Sequence, residues 1–395
     1  LRRTFAAPLL VALVCAALLP RRADSGDGAA AASPLAGADA DARIALAADL
    51  EKKDVAALAK ALHELGASKS KDADREFLIR YAMQERDRAP RLMALEALSR
   101  LDKKGAAEWF KTRADGKELV STTVALEALG YLGTKDDAAV AIELMKNPDE
   151  LIAVAAASCA ARLATAKDVE AIAENGLAHA SDHVTDHAAW AVQDLVKKPK
   201  LAVEVFEKYA SKKSDPRAVR AASTVVALTD KRAPPHVWGD SLKLAADLVL
   251  KAPAAVEIKT KDAGWKANAE AAVDWLKKNM PGAELMLRAA ASRIEVPGVK
   301  HPDDWVDLDD AAVLIPIDRA TWKPHQLALH LFWASTVAWE KRVGEPCKGH
   351  RGWDVPIFDS FDLCAIAKLY SAGPGGLPRS TFVKDQIDKH PWGAN

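Results

Sequence analysis

The chain has 395 residues, half of them apolar and 28% charged, with 55 basic and 55 acidic side chains. Such a length and apolar content suit two or three packed domains and exclude a chain that is disordered throughout. The balance of charge holds on both sides of residue 234, with 35 basic against 34 acidic residues before it and 20 against 21 from it onward. Nucleic acid and anionic membrane surfaces, which select an excess of positive charge, are therefore not the expected partners.

Residues 1–23 read as an export signal: Arg2 and Arg3, an apolar run at 5–19, then small residues with an alanine tract at 29–32 for cleavage. The run is short for a spanning helix. Arg21 and Arg22 directly after it disfavour cleavage, so an uncleaved N-terminal anchor is the alternative, and no other membrane contact is expected. Either way the chain is expected outside the cytoplasm, periplasmic or extracellular. Residues 24–41 are small, acidic and without periodicity, the composition of a disordered linker.

From residue 93 a helical phrase recurs: MALEALSRL, VALEALGYL, AAASCAARL, HAAWAVQDL and RAASTVVAL. The phrases end on Leu101, Leu132, Leu163, Leu195 and Leu228, in steps of 31, 31, 32 and 33 residues. A near-constant period of this length marks a stack of units, none of which can bury its apolar face alone. Over 42–233 the pattern predicts six helix pairs, with second (B) helices near 54–65, 91–101, 119–132, 151–163, 184–196 and 217–228. Asn147-Pro148-Asp149-Glu150 predicts a helix start capped by Asn147 with proline at the first helical position. Gly66 and Gly133 are expected as left-handed residues closing helix ends.

Short helix pairs with an Ala-rich second helix and steps near thirty resemble HEAT-like repeats of the short bacterial type, over 42–233 only. The resemblance implies a mainly α protein, a right-handed α-solenoid of the armadillo type, and a role in binding other proteins. It implies no particular reaction.

Composition shifts after residue 233: nine of the eleven Trp and 13 of the 20 Pro fall from Pro234 onward. Residues 234–395 are expected to form a Trp- and Pro-rich, mostly helical second domain with its own core. Helices are expected at 238–250, 265–278, 325–343 and 361–370, and two short strands at 293–299 and 311–317.

Aligning the B helices on their last leucines separates buried from exposed positions. Seven residues earlier the residue is always Ala: Ala94, Ala125, Ala156, Ala188 and Ala221. The columns five and one before the leucine share a helix face and predict a mostly solvated ridge: Glu96, Arg100, Glu127, Tyr131, Arg162, Trp190 and Asp194, with His187 beside it. A mixed-charge ridge suits a protein or peptide partner. Trp190, where other repeats place Glu or Ser, reads either as a binding anchor or as an indole packed under its neighbours.

Two groups have metal-ligand spacing, and zinc would be the cation: His179, His183 and His187, or His325, His330, Cys347 and His350. Neither carries a signature, and no cofactor is the first expectation. In an exported protein Cys347 and Cys364 read more readily as a disulfide. The acidic run of Asp303, Asp304, Asp307, Asp309 and Asp310 lacks the glycine and terminal glutamate of a calcium loop. No string for a nucleophile elbow, phosphate loop or dinucleotide site is present. An exported binding scaffold is thus the first reading, and a metal-binding protein or enzyme with its site in the C-terminal region is the alternative.

Overall fold

The computed structural model describes residues 33–37, 39–68, 70–84, 88–229, 241–296, 306–307, 312–315 and 322–343. The expected export segment, most of the linker, the helix at 361–370 and the Cys347–Cys364 bridge lie outside them. The protein is mainly helical, with a small sheet in its C-terminal part.

Over 40–229 the chain folds into successive helix pairs: α1 (Ala40–Lys53) with α2 (Val55–Leu65), α3 (Lys71–Gln84) with α4 (Arg88–Leu101), α5 (Lys103–Arg113) with α6 (Leu119–Leu132), α7 (Ala138–Leu144) with α8 (Glu150–Leu163), α9 (Val169–Ala178) with α10 (Asp182–Val196), and α11 (Pro199–Ala210) with α12 (Ala218–Thr229). The second helices stand side by side in chain order, α2 on α4, α4 on α6, α6 on α8, α8 on α10 and α10 on α12. The alanine column explains the close approach: Ala94, Ala125, Ala156, Ala188 and Ala221 are all fully buried.

Short polar side chains start the helices. Asp39, Asp54, Asp102, Asp149 and Ser181 accept hydrogen bonds from first-turn amides of α1, α2, α5, α8 and α10, and Pro199 opens α11 where a missing N–H costs nothing. The cap of α8 is Asp149, not Asn147. Asn147 instead accepts from the Asp149 amide and donates to the Gly116 carbonyl one repeat earlier. Neither Gly66 nor Gly133 is left-handed: their φ values are −63° and −71°. Close approach accounts for both glycines, since a Cβ on Gly66 would press on Arg100 and the Ala97 backbone, and one on Gly133 would press on the Leu129 carbonyl.

Packing also begins earlier than the linker composition suggested. Leu35 is fully buried and the Ser33 hydroxyl donates to the Ala61 carbonyl at 3.0 Å, so the turn at 33–37 is packed on α2.

The core does not stop where the composition changes. Helix α13 (Ser241–Leu250) packs on α2 and α4, and α15 (Pro281–Ala290) on α4, α2 and α1, in one continuous apolar cluster with the stack. With the stack on one side and these helices on the other, α4 is buried nearly all round, Arg88, Arg91 and Glu96 included. Helices α14 (Ala263–Asn279) and α16 (Pro324–Val343) pack together and on α15, around Trp339, which is fully buried.

Four short strands complete this part: β1 (Glu257–Lys259), β2 (Arg293–Glu295), β3 (Val306–Asp307) and β4 (Ala312–Leu314), in the order β1-β2-β4-β3. The first three in that order run parallel, Ile258 beside Ile294 and Ile294 beside Val313, and β3 is antiparallel to β4. Strands β2 and β4 fall in the two expected segments. Strands β1 and β3 and helix α15 were not expected, because two or three residues carry no readable alternation and α15, at ten residues, is too short for a helical period to stand out.

Candidate functional site: the ridge across the B helices

The eight ridge residues lie on α4, α6, α8 and α10, and the structure joins them to one another and to neighbouring repeats more than to water. Glu96 is buried, with its carboxylate 2.7 Å from Arg100 Nε and 2.8 Å from His63 Nδ1 of the preceding repeat. Glu127 is buried too, and accepts from Arg91 Nε at 2.6 Å. His187 and Asp194 are also buried. The expectation of a solvated ridge is corrected at these four positions. A helical-wheel pattern assigns a charge to the outer face, but it does not see that the next helix brings a partner for that charge.

The accessible part is narrower: Arg100 is exposed, and Tyr131, Arg162 and Trp190 are partly exposed. The Arg162 guanidinium lies 3.9 Å from the Tyr131 ring centroid and donates to the Tyr131 hydroxyl at 3.1 Å, a cation–π contact combined with a hydrogen bond. One repeat on, the Ser158 hydroxyl is 3.1 Å from His187 Nδ1, and the His187 and Trp190 ring centroids are 5.0 Å apart. Trp190 is thus neither fully packed nor free-standing; His187 lies against it and the residue stays partly accessible.

The three histidines of the first metal reading go to three different places. His179 Nδ1 accepts from the Ser181 amide, so its Nε2 carries the proton and donates to the Asn147 carbonyl at 3.0 Å. Both ring nitrogens are then engaged, and neither has a lone pair for a cation. His183 Nε2 approaches Glu150 at 4.0 Å and His187 faces Ser158. Among the described residues no three His, Cys, Asp or Glu side chains come together as a metal group. Of the second set, His330 is buried with its ring edge-on to Trp322 at 6.1 Å. Cys347, His350 and the side chain of His325 lie outside the described residues. Asp307 falls in β3, and Asp303, Asp304, Asp309 and Asp310 lie outside.

The sequence reading missed a ladder that ties successive interhelical turns. Asn147 donates to the Gly116 carbonyl, His179 to the Asn147 carbonyl, and Arg220 to the His179 carbonyl. A second recurrence is the turn in which Thr134 and Thr165 each donate, through backbone and hydroxyl, to Asp137 and Asp168 three residues on. Burial alone would raise the Asp137 carboxyl. The hydrogen bonds from Lys111 and Thr134 outweigh it and hold the group below its usual range. The signal for the Thr–Asp turns and for the steps from Gly116 to Asn147 to His179 was the spacing of 31 or 32 residues itself, applied to turn residues; Arg220, 41 residues after His179 and within α12, falls outside it.

Among the described residues no helix is long and apolar enough to cross a membrane. Comparison of the chain with protein-family models, with curated proteins and with solved structures gave no match.

Proposed function

We propose that this chain is an exported scaffold that binds a protein or peptide segment along the B-helix ridge of a right-handed HEAT-like solenoid. The observation that carries the reading is the pair of contacts Arg162–Tyr131 and His187–Trp190, which holds an arginine and two large aromatics partly exposed on adjacent, tightly packed helices. Arg, Tyr and Trp are the side chains that dominate binding energy at protein interfaces, and positions held by neighbours lose little entropy on binding. Export is supported by the pattern of residues 1–23, and a partner outside the cytoplasm follows from it.

Panning the immobilised full chain against a random peptide library tests the reading. Selected peptides should bind Trp190→Ala and Arg162→Ala at least about tenfold more weakly than the parent, each loss being about 1.4 kcal/mol or more. The melting temperature should move little, because both side chains are partly exposed. Failure to select any peptide, or peptides indifferent to both substitutions, would remove the ridge as the binding site.

A further inference from the structure

One edge of the helix stack carries a column of lysines that the balanced charge totals conceal. Lys71, Lys103, Lys135, Lys167 and Lys198 follow one another in steps of 32, 32, 32 and 31 residues, the period of the repeat. Each stands where one B helix has ended and the next helix pair begins. Lys71 and Lys103 open α3 and α5, Lys135 opens a short 3-10 turn before α7, Lys167 precedes Asp168 at the start of α9, and Lys198 precedes Pro199 of α11. All five are exposed, as are Lys104 and Lys197 beside them, and among the described residues none of them forms an ion pair.

The acids of the same edge are consumed locally. Asp102 accepts from Arg75 at 2.6 Å and from the Gly105 amide, Asp137 from Lys111 at 2.8 Å and from Thr134, and Asp168 from Thr165. Asp72, exposed beside Lys71, pairs with Arg75 at 3.2 Å. The accessible charge of this edge is therefore positive. The opposite edge, where each first helix passes into its B helix, carries both signs, and its lysines are paired: Lys117 with Asp115 and Lys146 with Glu143. Helix electrostatics does not ask for the lysine column either. A helix start is the positive end of the dipole and favours acids, yet the first turns of α5 and α11 hold none.

We propose that this edge binds an acidic, extended polypeptide segment of a partner protein. The B helices that lead into these turns pack side by side, so successive lysines stand about 10 Å apart. An extended chain rises about 3.3 Å per residue, so a carboxylate at about every third residue meets one lysine per repeat. Nucleic acid fits the column poorly, because a duplex carries one charge per about 1.7 Å of its axis. The surface goes beyond the ridge, since none of these lysines is a ridge residue.

Fluorescence anisotropy of a labelled peptide of repeated Glu-Gly-Ser triplets, titrated with the full chain at low salt, tests the proposal. The parent should bind, and more weakly as salt rises. K103E/K135E/K167E should bind at least about tenfold more weakly, and the milder K103Q/K135Q/K167Q at least about threefold. K117E/K146E/K213E, which changes the net charge as much on the opposite edge, should stay within about twofold of the parent. Helicity and melting temperature should not fall in any of them, because every substituted side chain is exposed. No binding by the parent, equal losses from the two edges, or tighter binding of an oligothymidylate of the same charge would each overturn the proposal.

Discussion

Arg91 and Glu127, 36 residues apart, meet at 2.6 Å across the B helices of two successive repeats, and neither side chain has any solvent exposure. A buried pair of this kind seldom adds net stability over apolar residues of the same shape, because both charges are stripped of water, but losing one partner leaves the other stranded. Arg91→Met should therefore destabilise the protein by about 3–5 kcal/mol, and R91M/E127L should recover most of that loss. Urea unfolding of the two single variants and the double measures the coupling. Simple additivity of the single losses would show that the pair is not coupled.

Gly176, in α9, supports the same kind of close approach within one pair. A Cβ there would overlap that of Ala188 in α10. Helix propensity alone favours Gly176→Ala by about 1 kcal/mol, whereas overpacking costs about 1–3 kcal/mol. The net effect should be a loss of stability, and G176A/A188G should restore it by exchanging the two methyl positions. A single variant that melts higher than the parent would show that the helices can part at no cost.

Cys159 is a buried free thiol, pushed up to about 12 by burial. In the native chain it should resist alkylation at pH 8 and react on unfolding, read by mass mapping of its peptide. Its protonated form is the one the fold favours. The unfolded chain, with the thiol near its ordinary 9.0, loses the proton first. Stability should fall as pH rises from about 9 towards 12, at up to about 1.4 kcal/mol per pH unit from this group. Cys159→Ala should flatten that part of the profile.

Asp215 and Arg217 close the turn between α11 and α12. Side-chain and backbone hydrogen bonds from Arg217 hold the Asp215 carboxyl down at about 2. Because the folded value lies below the ordinary 3.8, this contribution is complete above pH 4 and fades as pH falls from there towards 2. Corrected for the intrinsic pH dependence of exchange, amide protection at the start of α12 should fall over that interval in the parent and stay constant in Asp215→Asn.

The repeating unit was legible in the sequence because local rules suffice for it. Five leucines in steps near 31 and five alanines seven residues before them place the B helices, and all five alanines are buried as their column requires. The helix at 324–343 and the strands at 293–295 and 312–314 were legible for the same reason, since each carries its signal within its own residues. The ridge was legible as a line of positions but not as an environment. Glu96 and Glu127 look like water-facing charges until His63 and Arg91, about one repeat away, are brought against them.

Sequence periodicity by itself determined that this chain stacks paired helices and that each B helix packs its alanine face, because helix geometry converts spacing into direction. Only the tertiary structure decided what lies against those faces. It set α13 and α15 of the Trp-rich region on α2 and α4, gave His179 to the Asn147 carbonyl, and left Val219 and Val226 uncovered at the end of the stack. The physical reason is that such contacts join residues tens of positions apart in the chain or more, where burial and pairing depend on which surface arrives opposite and no local pattern records it.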